Sequence, residues 1–304
     1  MLEQLSLPGD AAKPNEDAFA YLNHAALVLD GATPLGPSLL PGPSDAAWIA
    51  QFGARRLSAH LKDGDEPEEA LKNALGDAEK SFAGLARRPS REKWQTPCAS
   101  MMMAVELGRD LPPPRAKRME GEVVVAGPRV SEDRRGSEIK FLWFGDCAAI
   151  VEQNGEIQFV GEALEKRRAE AARAKLIARE KKMSPVAGIK RPEIEPLLRA
   201  ARNRINSGNN WLFSPDRRAA AHVSRHTMTV QPGARLLIAS DGFLALVSDY
   251  DAYDAAGLMS AIAAKGLAAL GEELRAIEEG DVLGEKFARF KKSDDCTALL
   301  LRAG

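Results

Sequence analysis

An α+β fold is predicted by short apolar runs ending in tight turns and by separate, longer stretches with helical periodicity. A third observation bounds the class. No apolar run reaches the roughly 18 residues that span a bilayer, and the N-terminus has neither a basic nor an apolar leader region. At roughly 150 residues per domain, 304 residues allow one large domain or two ordinary ones. Lys and Arg number 42 against 43 Asp and Glu, so the basic excess of a dedicated nucleic-acid binder is missing. Three distant cysteines, Cys98, Cys147 and Cys296, form no zinc or disulfide spacing. These features predict a cytoplasmic protein with no membrane and no nucleic-acid partner.

In chain order, Asp17–Tyr21 and Ala25–Leu29 read as a strand pair, the second stopping at Asp30-Gly31. Asp45 is expected to cap a helix running to about Lys62, with Ala46, Ile49, Phe52, Leu57 and Leu61 roughly along one stripe. Asp65-Glu66-Pro67 leads a second helix from about Glu68 to Arg87, its acids and proline suited to the positive end of the dipole. Cys98 to Leu107 is an apolar, Met-rich strand. The charged, Pro-rich stretch at about 108–138 reads as a surface insertion. Ile139–Phe144, Ala148–Glu152 and Glu156–Val160 are expected to form a meander, with Asn154-Gly155 as a hairpin turn. A Lys/Arg-rich helical flap is expected over about 162–208, broken at Pro185 and Pro192. Strands follow at Trp211–Phe213, Thr227–Val230 and Ala234–Ala239. Helices follow at Tyr253–Ala264 and Ala268–Ile277, and Thr297–Leu301 closes the chain as a strand.

One pattern repeats at the strand ends. Apolar runs stop at Asp30-Gly31, at Asp146 and at Asp241-Gly242, and the last strand starts directly after Asp294-Asp295. Taken singly, an Asp-Gly is more often a turn. Four such acids abutting buried strands would repel one another if the ends met, and burial would add to that cost. A hard divalent cation relieves both, and oxygen-only ligation selects Mg²⁺ or Mn²⁺ over zinc.

Five fragments occur in order: Asn15-Glu16-Asp17-Ala18, Leu29-Asp30-Gly31-Ala32-Thr33, Phe144-Gly145-Asp146-Cys147, Ala239-Ser240-Asp241-Gly242-Phe243 and Asp294-Asp295-Cys296-Thr297. The series resembles the signatures of the metal-dependent protein phosphatases, the type 2C or PPM family, and Asn210–Asp216 resembles its bacterial members. The resemblance spans residues 15 to 297. It implies one domain over 1–304, folded as a four-layer α-β-β-α sandwich of two antiparallel sheets flanked by helices. It also implies a hydrolase of signalling pathways acting on phosphorylated Ser/Thr proteins with two Mg²⁺ or Mn²⁺ ions. Asp30 would bridge the ions, the Gly31 carbonyl would ligate one, and Asp241 and Asp294 would complete the other. Glu16 would act on the metal-bridging water that serves as nucleophile, with Asp17 in support. Asp146 matches a ligand of a weaker third ion in some members.

The chain departs from that pattern in three places. The usual phosphate-binding Arg is Ala12, leaving the adjacent Lys13 as the candidate phosphate contact, a point charge without the bidentate fork. Ala32 stands where eukaryotic members carry a His, and Ala245 where a second Asp is frequent. The alternative reading is therefore a non-catalytic relative that binds a phosphoprotein or another partner. The Cys296-x5-Arg302 spacing of cysteine phosphatases falls on an apolar strand that cannot wrap a phosphate. His222 and His226 lack the glutamate of a zinc-protease motif. The basic flap is a solvated surface or a dock for an acidic partner.

Overall fold

The computed structural model describes residues 1–108, 136–181 and 194–304. The expected insertion at about 108–138 lies almost wholly outside the described residues, as does the middle of the flap, 182–193. The strands are β1 (Glu3–Leu7), β2 (Asp17–Tyr21), β3 (Ala25–Gly31), β4 (Ala99–Leu107), β5 (Ser137–Phe144), β6 (Ala148–Gln153), β7 (Glu156–Val160), β8 (Ser224–Val230), β9 (Arg235–Ala239) and β10 (Cys296–Arg302). The α-helices are α1 (Asp45–Lys62), α2 (Pro67–Leu85), α3 (Ala163–Lys181), α4 (Glu195–Arg202), α5 (Asp241–Ser248) and α6 (Ala255–Gly280), the last broken at Gly266.

The strands form two antiparallel sheets of five, ordered β1-β10-β9-β6-β7 and β2-β3-β4-β5-β8. Alternation along single strands explains the layering, because successive side chains face opposite ways. In β3, Ala25, Leu27 and Leu29 pack with Ile49, Leu57 and Leu71 of α1 and α2. Ala26 and Val28 instead face Ile238 and Leu299 of the other sheet. In β10, Cys296, Ala298 and Leu300 turn outward to Phe243, Leu258 and Leu270 of α5 and α6. The result is the expected α-β-β-α sandwich.

Most expected elements are present within a few residues, and the break at Gly266 separates the two helices expected around it. The cap of α1 is Ser44, whose Oγ accepts the Ala47 N–H, and not Asp45, whose carboxylate accepts from the Leu39 and Leu40 N–H groups instead. Asn154 and Gly155 both take positive φ, as the hairpin turn requires. The expected meander is incorrect. β5 pairs with β4 and β8, whereas β6 pairs with β7 and β9, so the chain changes sheets between Phe144 and Ala148. Gly145, at φ +73°, makes the corner. Trp211–Phe213 is no strand either. It contributes one bridge, Ala99 to Phe213. Two elements carry no periodic signal in the sequence: β1, whose Glu3 and Gln4 mask its alternation, and α5, which has no polar face because every residue in it is buried.

Cys296 is buried in β10, inside the core and not in any phosphate-wrapping loop. His222 stacks on Trp211 at 3.7 Å, a packing role, and His60 bonds to Asp65 and Asp77 between α1 and α2. No described helix is long and apolar enough to cross a membrane.

Phe213 is fully buried between α1 and β4 and sits over Gly53. Phe213→Ala should lower unfolding free energy in urea by about 3–5 kcal/mol, through lost burial and the cavity left behind.

Candidate metal centre

The sandwich brings the acidic strand ends to one edge. Asp17 and Asp30 are direct cross-strand partners of β2 and β3. Asp146 follows the Gly145 corner, and Ser100, the β4 partner of Asp30, donates to it at 2.5 Å. Asp241 opens α5 immediately after β9, and Asp294 stands just ahead of β10, the strand beside β9. Oxygens of Asp30, Asp146 and Asp241 all lie within 4.8 Å of one another. They line a cleft of about 470 Å³ together with Gly31, Asp294 and a set of cationic side chains.

The two Asp-Gly pairs are not turns. Gly31 lies in β3 and Gly242 in α5, and neither has a positive φ. Glycine is required by close approach. A Cβ on Gly31 would sit 2.5 Å from the Ala46 carbonyl oxygen, and one on Gly242 only 1.9 Å from that of Asp295. The absent side chains let α1 and the start of β10 press against the strand ends that carry the acids.

Hydrogen bonds fix the surrounding shell. Ser240 Oγ donates to Asp17 Oδ2 at 2.8 Å, and Thr297 N donates to Ser240 Oγ at 2.9 Å, tying β2 to β10. The Asp295 carboxylate accepts from the backbone N–H groups of Gly9 and Glu16 at 2.7 and 2.6 Å. Glu16 accepts hydroxyl bonds from Ser44 at 2.5 Å and Thr33 at 2.6 Å, and its carbonyl accepts the Gly31 N–H. Glu16 thus stands behind the cleft wall made by Thr33.

Electrostatics show what the cluster lacks. Burial, reinforced by Asp17, Asp241 and Asp294, pushes the Asp30 carboxyl well above the usual range. Burial raises Asp17 to about 8, despite the Ser240 hydrogen bond. Burial also raises Asp241 to about 7, against the pull of Arg167. Acids raised on folding make stability fall as pH climbs from their ordinary value toward the raised one. Asp294 differs: burial opposes its charge, but Lys291 at 2.6 Å and Arg167 outweigh it and hold its pKa down. Among the described residues no donor reaches the buried Asp17 Oδ1 and Asp241 Oδ1. Unmet oxygens, oxygen-only donors and like-charge repulsion all fit a hard divalent cation.

Lys13 stands apart from the cleft lining. It is 74% exposed, and its Nζ lies 2.9 Å from Asp10. Sequence reasoning missed Arg167. Its guanidinium lies 3.1 Å from Asp241, 2.8 Å from Asp249 and 3.8 Å from Asp294. A signal did exist: Ala163, Arg167, Ala174 and Ile177 fall on one helical face, and all four are buried.

Gly242→Ala should lower the urea midpoint, because the backbone oxygen 1.9 Å from the new Cβ must move. The cost should be about 1–3 kcal/mol. Gly84→Ala, in α2 with open space around the new Cβ, should instead be neutral or stabilising by about 0.5–1 kcal/mol.

No protein-family model matches the sequence, and no curated protein matches it. Solved structures do. The chain is similar to the Mycobacterium tuberculosis serine/threonine phosphatase PstP/Ppp, at 12% identity over 99% of this chain and 97% of that one, with a TM-score of 0.53. It is similar to the PPM Ser-Thr phosphatase MsPP from Mycobacterium smegmatis, at 14% identity over 99% and 97%, with a TM-score of 0.51. It is also similar to the catalytic domain of PstP in complex with two manganese ions, at 14% identity over 98% and 95%, with a TM-score of 0.50. At these identities the likeness is one of fold. The chain has the PPM phosphatase fold.

Proposed function

We propose that this chain is a bacterial-type member of the metal-dependent protein phosphatases, a Mg²⁺/Mn²⁺-dependent phosphomonoesterase acting on phosphoserine or phosphothreonine in proteins. One observation carries the reading: three carboxylates from three different strand ends converge within 4.8 Å at the edge of this particular fold. A protein of the same fold, the PstP catalytic domain, is in complex with two manganese ions. Asp30, the Gly31 carbonyl and Asp146 would hold a cation together with Asp241, and Asp294 would complete a second position beside Asp241. Bound there, divalent cations supply a nucleophilic water at neutral pH and neutralise the phosphoryl oxygens.

The remaining residues position and attract. Asp17 and Ser240 tie β2 to β10 through Thr297, which supports the spacing of Asp30, the partner of Asp17, and Asp294. Glu16 keeps the Gly31 strand end in register through its carbonyl and, held by Ser44 and Thr33 behind the cleft wall, is the candidate for proton transfer by way of the Thr33 hydroxyl. Lys166 and Arg202 already line the cleft. Phosphate attraction is assigned to them, with Lys13 as an outer contact from its exposed loop. Exposed Arg168, Arg173, Lys175 and Arg179 along α3 would draw an acidic or phosphorylated protein toward the mouth. The non-catalytic reading, a phosphoprotein-binding member of a signalling pathway, draws support from one feature: a guanidinium already lies among Asp241, Asp249 and Asp294.

The test is hydrolysis of p-nitrophenyl phosphate and of a phosphothreonine peptide with Mn²⁺. Turnover should be abolished by EDTA and reduced at least about a hundredfold by Asp30→Asn or Asp241→Asn, the several kcal/mol that metal-assisted charge stabilisation contributes. Well-folded protein with no metal-stimulated turnover of either substrate would favour the binding role.

A further inference from the structure

The composition of α3 conceals what the helix does. Lys166, Arg168, Arg173, Lys175 and Arg179 are exposed, as a polar surface helix would have them. Arg167, in the middle of the same basic run, is only 8% exposed. Its Nη1 lies 3.1 Å from Asp241 Oδ2 and 3.8 Å from Asp294 Oδ2, and its Nη2 lies 2.8 Å from Asp249 Oδ2. Beside it, Lys166 Nζ donates to the Gly145 carbonyl at 2.9 Å, one residue before Asp146. Among the described residues the apolar anchorage of the helix is modest: Ala163 and Leu164 in the core with α5, and Ala174 and Ile177 packed with Ile194 and Phe290. Removing a guanidinium from water is costly unless opposite charges meet it. The acids of the cleft meet Arg167, and they therefore hold α3 down.

Asp241 and Asp294 are the two carboxylates assigned above to one divalent cation. Such a cation needs their oxygens at 2.0–2.6 Å. In its place the same guanidinium nitrogen faces both carboxylates, 3.1 Å from Asp241 Oδ2 and 3.8 Å from Asp294 Oδ2. The other side of Asp241 is different. Arg167 takes Oδ2, whereas Oδ1 is buried without a donor among the described residues, and Asp241 also belongs to the cluster with Asp30 and Asp146. The two sides of the centre are therefore not equivalent.

We propose that Arg167 is an intramolecular cation occupying the Asp241–Asp294 half of the centre, so that α3 latches the cleft until a divalent ion displaces it. The inference rests on the metal-centre reading. A first ion enters on the Asp30–Asp146 side with the latch in place. A second ion enters only as the guanidinium leaves. Metal affinity and α3 docking are then reciprocally linked, and whatever pulls α3 from the cleft raises the affinity of the second position by the same factor. A partner or substrate drawn to the exposed basic face of α3 is placed to do that.

Two measurements test this without any assay of activity. In calorimetric titration of metal-free protein with Mn²⁺, the wild type should show one tight and one weaker step. Arg167→Gln should tighten the weaker step by about tenfold or more. Equal second-step affinity in the two proteins overturns the latch and leaves the metal centre standing. Mn²⁺ bound by neither protein overturns the metal reading and the latch with it. Hydrogen exchange on the wild type keeps the test valid if Arg167→Gln fails to fold. Amides of α3 should exchange faster at saturating Mn²⁺ than in EDTA, and unchanged protection with both ions bound contradicts displacement.

Discussion

Repulsion among buried and half-buried carboxylates is the constraint on which the rest of this structure depends. Asp17, Asp30, Asp146, Asp241 and Asp294 come from five separate places in the chain, yet the two sheets bring them to one edge. Burial pushes Asp17, Asp30 and Asp241 toward their protonated forms. Such a cluster opposes folding unless positive charge stands near it. Lys291 and Arg167 provide some of that charge. Oxygens still without a donor among the described residues mark where more is needed.

The scaffold accepts that opposition because its cores lie elsewhere. One apolar layer fills the space between the sheets, and two more lie under the helix pairs on the outer faces. The acids occupy the ends of strands whose middles are mostly apolar and buried, so the strand bodies fix the positions of their ends. Glycines at 31 and 242 allow backbone to press within a few ångströms of those ends. The Ser240 hydroxyl then links Asp17 on one sheet to Thr297 on the other. A polar bond thereby sets the spacing across the cleft.

Much of this was legible in the sequence, because the decisive signals are local. Apolar runs that stop or start at an acid mark both a strand and the position of its carboxylate, and such continuous apolar runs marked β3 and β10 with no tertiary information. What was hidden depends on contacts between distant segments. The crossing from β5 to β6 looks like a hairpin because its connection is short, and only pairing shows that the strands belong to different sheets. α5 has no apolar stripe because it has no solvent face. Arg167 was absorbed into a run of surface cations, and its inward direction follows from where the acids lie.

Anomalous scattering from a crystal grown with Mn²⁺ tests the central claim most directly. The account predicts a manganese peak with carboxylate oxygens of Asp30 and Asp241 at ligand distance, about 2.0–2.6 Å. A well-ordered crystal with no such peak, and with Asp30, Asp146 and Asp241 spread apart or paired only with Lys and Arg, would contradict it.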